Sequence, residues 1–174
     1  MKYAIVFGAI GLLCMILSVV CNEKQKVLKL LEIKAVFYGI QYYLLGAMSG
    51  CISMFLGILR ADLIGRKEKN PKIAKPIFLF LVSLYVISSI LSFESSVDYL
   101  TILGNTCYFI TLWFFKDIGI KIGTLITSIV WATYNALVAA YAAFIGNIIV
   151  IIILIIFIIK YYKKNKIYFS KFLK

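Results

Sequence analysis

The chain has 174 residues, of which 63% are hydrophobic, and a formal net charge of +12. A water-soluble fold of this length cannot cover so much apolar surface with so few charged side chains, so the composition excludes a soluble globular protein. The positive charge does not indicate nucleic-acid binding, because short basic loops beside membrane spans orient a protein in the bilayer and attract anionic lipid.

Seven apolar runs follow one another, each close to the length that crosses a hydrocarbon core about 30 Å thick. They cover residues 3–21, 31–46, 50–65, 76–93, 99–115, 122–141 and 145–162. With the N-terminus outside and the C-terminus in the cytoplasm, every Lys and Arg except Lys2 can be placed on the cytoplasmic side. The sequence therefore predicts an all-α integral membrane protein with seven transmembrane helices.

Two long apolar stretches must each turn back on themselves. As a single helix, residues 31–65 would be about 50 Å long, which is too long for one crossing. The small residues at 46–50 predict the first turn, and the same reasoning places a second turn at 142–146.

The two halves of the chain share a side-chain pattern at a constant offset. Each has an aromatic residue, an amide four residues later and a small or polar residue twelve beyond that. The matching residues are Phe37, Gln41 and Ser53 in the first half and Trp131, Asn135 and Asn147 in the second. A parallel repeat follows, with a three-helix unit at 1–70, a linker helix at 71–97, a second three-helix unit at 98–165 and a basic tail at 166–174.

The same six residues are the predicted solute-binding residues. An amide inside a span must find hydrogen-bond partners, and an aromatic residue four positions earlier lies on the same helix face. Such a face suits a neutral, sugar-like or zwitterionic solute. The alternative is that the amides join helices across the bundle.

Arg60 lies near the cytoplasmic end of the third apolar run, at a depth similar to that of Glu32. The two residues are predicted to form a cytoplasmic gate. The alternative is that Arg60 simply extends its charge to the membrane surface.

Residues suited to catalysis are scarce. The chain has no His, and its four cysteines, Cys14, Cys21, Cys51 and Cys107, show no metal-ligand or disulfide spacing. No Ser lies beside a plausible base. We therefore expect no metal, no cofactor and no enzymatic activity.

The segment YGIQYYLLG at 38–46, followed by Ser53 and Arg60, resembles the YgjV family of small bacterial inner-membrane proteins. The segment 131–135, together with Asn147, extends the resemblance into the second half. The resemblance implies a location in the bacterial cytoplasmic membrane, and it implies no particular activity.

A more distant likeness is to the SWEET and PQ-loop transporters, which have the same three-plus-one-plus-three arrangement of spans. In those sugar carriers, paired Asn residues on the third and seventh spans face the substrate. Asn147 matches one of them, whereas Ser53 replaces the other. Both prolines, Pro71 and Pro76, lie at the loop before the fourth span, so the proline hinges of such carriers are missing.

Two functions follow from these observations. The first is binding, or facilitated movement, of a small polar solute between the two halves. The second is a non-transporting interaction, immunity or accessory role in the membrane. The expected partners are anionic lipids at the basic loops, a small polar solute and further copies of the chain in a homo-oligomer.

Overall fold

The structure, a computed structural model, describes residues 2–20, 24–115 and 117–172. These residues form seven α-helices and one short 3-10 helix at Pro71–Ile73, which confirms the all-helical prediction for the described part of the chain. The helices are α1 (Lys2–Val20), α2 (Lys24–Leu44), α3 (Met48–Lys69), α4 (Ala74–Leu91), α5 (Asp98–Phe114), α6 (Asp117–Leu137) and α7 (Tyr141–Phe172). Of the four cysteines, Cys21 lies outside the described residues.

The outer surface of the helices is apolar. Large hydrophobic side chains are exposed on all seven helices, for example Leu13 on α1, Leu79 on α4 and Phe157 on α7. Within the described ranges, two helical segments, Ala74–Leu91 and Tyr141–Lys163, are both long and apolar enough to span a membrane. An apolar surface on this scale suits contact with lipid.

Several helices continue beyond their apolar runs. α2 begins at Lys24, ahead of the run that starts at residue 31, and α7 continues to Phe172. Lysine is a good helix former, so a helix can continue past the charged residues that end an apolar run.

Six helices contact one another in a closed ring. Along the ring, α1 contacts α2, α2 contacts α3, α3 contacts α5, α5 contacts α6, α6 contacts α7, and α7 contacts α1. Side chains of α2 and α6 meet in the middle of this ring, where Tyr42 and Tyr134 pack edge to face with ring centroids 5.9 Å apart. Both tyrosines are almost completely buried.

α4 packs against α3 and α5. Phe78 of α4 lies 5.5 Å from Phe109 and 5.2 Å from Trp113, measured between ring centroids. Together with the buried Leu81, these rings form a second apolar cluster that is separate from the centre of the ring.

The turns after α2 and α6 have the same backbone structure. In each, one residue has a positive φ, 73° at Gly46 and 56° at Ala139. The N–H group of the next residue donates to the carbonyl five residues back over 2.9 Å in both turns. This is the Schellman arrangement that commonly ends a helix. The second turn therefore precedes the predicted break at 142–146, because α7 already begins at Tyr141.

These turns set the correspondence between the two halves. A shift of 93 residues maps Lys24–Leu44 onto Asp117–Leu137 and Gly46 onto Ala139. In this register Tyr42, not Gln41, corresponds to Asn135. The amides in the sequence align the two halves with a shift of 94 residues, which differs by one residue from the shift of 93 that aligns the helices.

Close packing of aromatic rings on glycines follows the same register. A β-carbon on Gly11 of α1 would lie 2.5 Å from the Tyr38 ring, and one on Gly104 of α5 would lie 2.9 Å from the indole nitrogen of Trp131. Gly11 and Gly104 are 93 residues apart, as are Tyr38 and Trp131. In each half, a glycine allows an aromatic ring of the next helix to lie against the backbone.

Candidate functional site

A hydrogen bond across the ring joins α2 to α6. The Tyr42 hydroxyl donates to Oδ1 of Asn135 over 2.5 Å, and the exposed fractions of these residues are 1% and 0%. The Nδ2 group of Asn135 has no hydrogen-bond partner among the described residues. A buried amide N–H group without a partner costs about 1–3 kcal/mol. The Asn135 side chain therefore has a free hydrogen-bond donor at the centre of the protein.

Gln41 precedes Tyr42 and is directed toward α1. Its exposed fraction is 2%, and its Oε1 atom has no hydrogen-bond partner in the described structure. The amide lies against Gly8, where a β-carbon would come within 2.5 Å of Nε2. Gln41 and Asn135 thus supply one unpaired acceptor and one unpaired donor inside the bundle.

Aromatic rings surround Asn135. Trp131 lies one turn before it on α6, with its ring centroid 6.5 Å from Tyr42 and 5.5 Å from Tyr134. Phe37 lies elsewhere, stacked on Phe7 of α1 at 6.0 Å. Trp131 and Asn135 therefore both contact Tyr42, whereas Phe37 packs against α1.

Ser53 and Asn147 each take part in a hydrogen bond within the protein. The Nδ2 group of Asn105 donates to the Ser53 hydroxyl over 2.7 Å, which joins α5 to α3. The Nδ2 group of Asn147 donates to the Ala143 carbonyl over 3.1 Å, within its own helix. In the sequence, Asn105 is a polar residue inside an apolar run, next to Gly104. Its presence there was the feature from which a hydrogen bond between helices could have been predicted.

A polar network joins the beginning of α3 to α5 and α6. The Tyr134 hydroxyl accepts the N–H group of Gly50 over 3.0 Å and lies 3.0 Å from the Ser49 hydroxyl. Ser49 in turn donates to the carboxylate of Asp98 at the beginning of α5. Three helices that are distant in sequence are thus held together at one end of the ring, which the sequence pattern did not reveal.

Asp98 lies just before the fifth apolar run. Burial of its carboxylate acts to raise the pKa, but hydrogen bonds from the Ser49 hydroxyl and from the N–H groups of Glu94 and Ser95 outweigh this effect. The pKa of Asp98 therefore lies below its ordinary value of 3.8. The carboxylate is held in its charged form as the acceptor of the network.

The predicted gate residues lie in different environments. Arg60 is buried and donates from Nη1 to the Tyr85 hydroxyl of α4 over 2.9 Å. Its guanidinium carbon lies 4.5 Å from the centre of the Tyr108 ring of α5. Glu32 is exposed on α2. The hydrogen bond of Arg60 therefore goes to a tyrosine and not to the predicted acid.

Potential metal ligands do not cluster in the described part of the chain. Among them, no group of three or more His, Cys, Asp and Glu residues could hold a metal ion. Cys14, Cys51 and Cys107 are free thiols.

Comparison with known proteins agrees with the resemblance read from the sequence. The model of the Imp-YgjV family, described as a bacterial inner membrane protein, matches residues 3–165. No curated protein and no solved structure matches the chain. The likeness to SWEET carriers stays a prediction. Since the match covers nearly the whole sequence, the chain belongs to the Imp-YgjV family of bacterial inner membrane proteins.

Proposed function

We propose that the protein crosses the inner membrane seven times as two parallel three-helix units, with α4 as the linker. The N-terminus lies outside and the C-terminus lies in the cytoplasm. The asymmetric distribution of Lys and Arg supports this orientation. The shared turn geometry and the common shift of 93 residues support the repeat.

Within this framework, the protein binds a small, neutral, polar solute between its two halves. The observation that carries the proposal is the pair of buried amides, with Oε1 of Gln41 and Nδ2 of Asn135 both lacking a partner among the described residues. A hydroxyl group donates and accepts, so a hydroxyl-rich solute can use both atoms. The Trp131 ring supplies an apolar wall beside Asn135, as sugar-like ligands require.

The other predicted residues have supporting roles. Ser53 already accepts a hydrogen bond from Asn105, and Asn147 already donates one to the Ala143 carbonyl, so a solute would share those groups. Phe37 shapes the α1 side, and Arg60 with Glu32 lies on the cytoplasmic side. Facilitated diffusion is the simplest mode of movement, because few acids lie in the spans to couple a proton.

A thermal-shift screen tests the proposal. The detergent-purified protein is heated with sugars, polyols, amino acids and nucleosides, alongside Asn135→Leu and the matched control Thr133→Val. Thr133 is exposed on the same helix and bonds only to the Ile129 carbonyl. A ligand at a hundred times its Kd stabilises the folded state by about 2.7 kcal/mol, which gives a measurable shift. The shift is expected in the wild type and in Thr133→Val, but not in Asn135→Leu.

A second function has support from a specific observation. The Tyr42–Asn135 and Asn105–Ser53 bonds each join two helices, as expected if the amides serve only to hold the bundle together. The protein would then act as a membrane interaction or accessory protein. In that case no compound raises the melting temperature of the wild-type protein, while the Asn135→Leu variant is still less stable than the wild type.

A further inference from the structure

The surroundings of Arg60 are unusual for a charged residue. Its exposed fraction is 6%, and its Nε atom has no hydrogen-bond partner in the described structure. The Tyr85 hydroxyl and the Tyr108 ring fix the guanidinium between α4 and α5. A neutral hydroxyl and a ring face orient a cation, but neither supplies a full negative charge.

No acidic side chain that the structure describes forms an ion pair with Arg60. Asp62 forms an exposed ion pair with Arg66 at 2.9 Å, and Glu32 is itself exposed. Asp98 accepts hydrogen bonds from Ser49 and Ser95 at the far end of the bundle. A buried charge without a counter-charge among the described side chains is costly, which favours binding of a negative ligand.

Gly57 leaves space beside the guanidinium. It lies one turn before Arg60 on α3, and a β-carbon there would come 3.6 Å from Nη2 of Arg60, with no described atom of another helix within 4 Å. A side chain at this position would occupy the space next to Nη2. The glycine therefore leaves room beside Nη2.

We propose that Arg60 binds the phosphate group of an anion in the space left by Gly57. A guanidinium binds a phosphate through charge-assisted hydrogen bonds, and here Nη2 is the nitrogen beside the space left by Gly57. The phosphate can come from the headgroup of an anionic phospholipid or from a soluble anion. This site is independent of the solute site at Gln41 and Asn135.

Binding is tested on the delipidated protein in an uncharged detergent. The melting temperature is measured with phosphatidylglycerol, with phosphatidylcholine, with inorganic phosphate and with sodium chloride at equal ionic strength. The variants are Arg60→Gln, Gly57→Leu and the control Lys75→Gln, in which an exposed charge near the loop is removed.

We expect phosphatidylglycerol or inorganic phosphate to raise the melting temperature of the wild type and of Lys75→Gln. The response should be lost in Arg60→Gln, and the apparent affinity should fall at least tenfold in Gly57→Leu. A response to phosphate alone identifies a soluble anion, and a response only to phosphatidylglycerol identifies a lipid headgroup.

The proposal is overturned if neither phosphate source exceeds its control in the wild type. It is also overturned if Arg60→Gln or Gly57→Leu responds as the wild type does. Should Arg60→Gln fail to fold, Gly57→Leu decides, because it keeps the charge and removes only the space.

Discussion

The hydrogen bond between Tyr42 and Asn135 should couple the two halves of the protein energetically. Tyr42→Phe removes the hydroxyl and leaves both polar atoms of the Asn135 side chain unpaired, which should cost about 1–3 kcal/mol. Asn135→Leu leaves the Tyr42 hydroxyl unpaired, yet it also removes the unsatisfied Nδ2 group. Its cost should therefore be smaller, about 0–2 kcal/mol.

The double variant places apolar groups on both sides and leaves no unpaired atom from this pair. Its destabilisation should fall short of the sum of the single variants. Couplings of this kind inside membranes average about 0.6 kcal/mol and reach about 1.7 kcal/mol. The 2.5 Å distance and the complete burial of both residues place this pair in the upper part of that range.

The assay is equilibrium unfolding in mixed micelles with increasing dodecyl sulfate, followed by tryptophan fluorescence. Trp131 lies beside Tyr42 and reports directly on this region. As a control, Tyr42→Phe is combined with Thr133→Val, an exposed change with no shared partner, and the two effects should add. A coupling below about 0.3 kcal/mol between Tyr42 and Asn135 would refute the reasoning, since it would fall within the error of additive sites.

Three further predictions concern backbone and charge. Gly11→Ala should destabilise the protein by about 1–3 kcal/mol, because the new methyl group would collide with the Tyr38 ring. Gly57→Ala should leave the stability unchanged or raise it by up to about 1 kcal/mol. Equal free energies of unfolding for the two variants would contradict this account. Ala139→Gly should stabilise the turn after α6 by roughly 1 kcal/mol in the same unfolding assay, because glycine adopts a positive φ without strain, and a loss of stability would count against it. Because the pKa of Asp98 is lower in the folded protein than its ordinary 3.8, the stabilisation that its carboxylate provides is fully present above that pH and is lost as the pH falls through the folded value. Melting curves between neutral pH and about pH 3 should therefore show the wild type approaching Asp98→Asn on acidification, and a constant gap would exclude this role.

Apolar run length and charge placement predict the helices well, but the turns depend on backbone conformation. The turn at Gly46 was recognisable because glycine favours a positive φ. The corresponding turn uses Ala139, which gives no such signal, and the predicted break near Gly146 falls inside α7. Gly146 instead makes room for Tyr38, whose hydroxyl would lie 2.9 Å from a β-carbon at this position.

The candidate site was only partly predictable for a related reason. Gln41 and Asn135 could be selected from the sequence because amides inside apolar runs are few and are costly in a membrane. The partner of Asn135 is Tyr42, and membrane proteins contain many tyrosines with packing or interfacial roles, so its position in the sequence was not distinctive. The Ser49–Asp98 contact depends on how α3 and α5 meet, and no local pattern encodes that meeting.

Access to Asn135 from water is the most direct test of the proposed solute site. The four native cysteines are first replaced by alanine or serine, and Asn135→Cys is then exposed to a small water-soluble thiol reagent in native membranes. Ala132→Cys serves as the control, because Ala132 is a buried apolar position on the same helix. If a solute reaches the centre of the ring, Asn135→Cys should react much faster than Ala132→Cys. If both react equally slowly, the centre is closed to polar solutes and the amides serve only to hold the helices together.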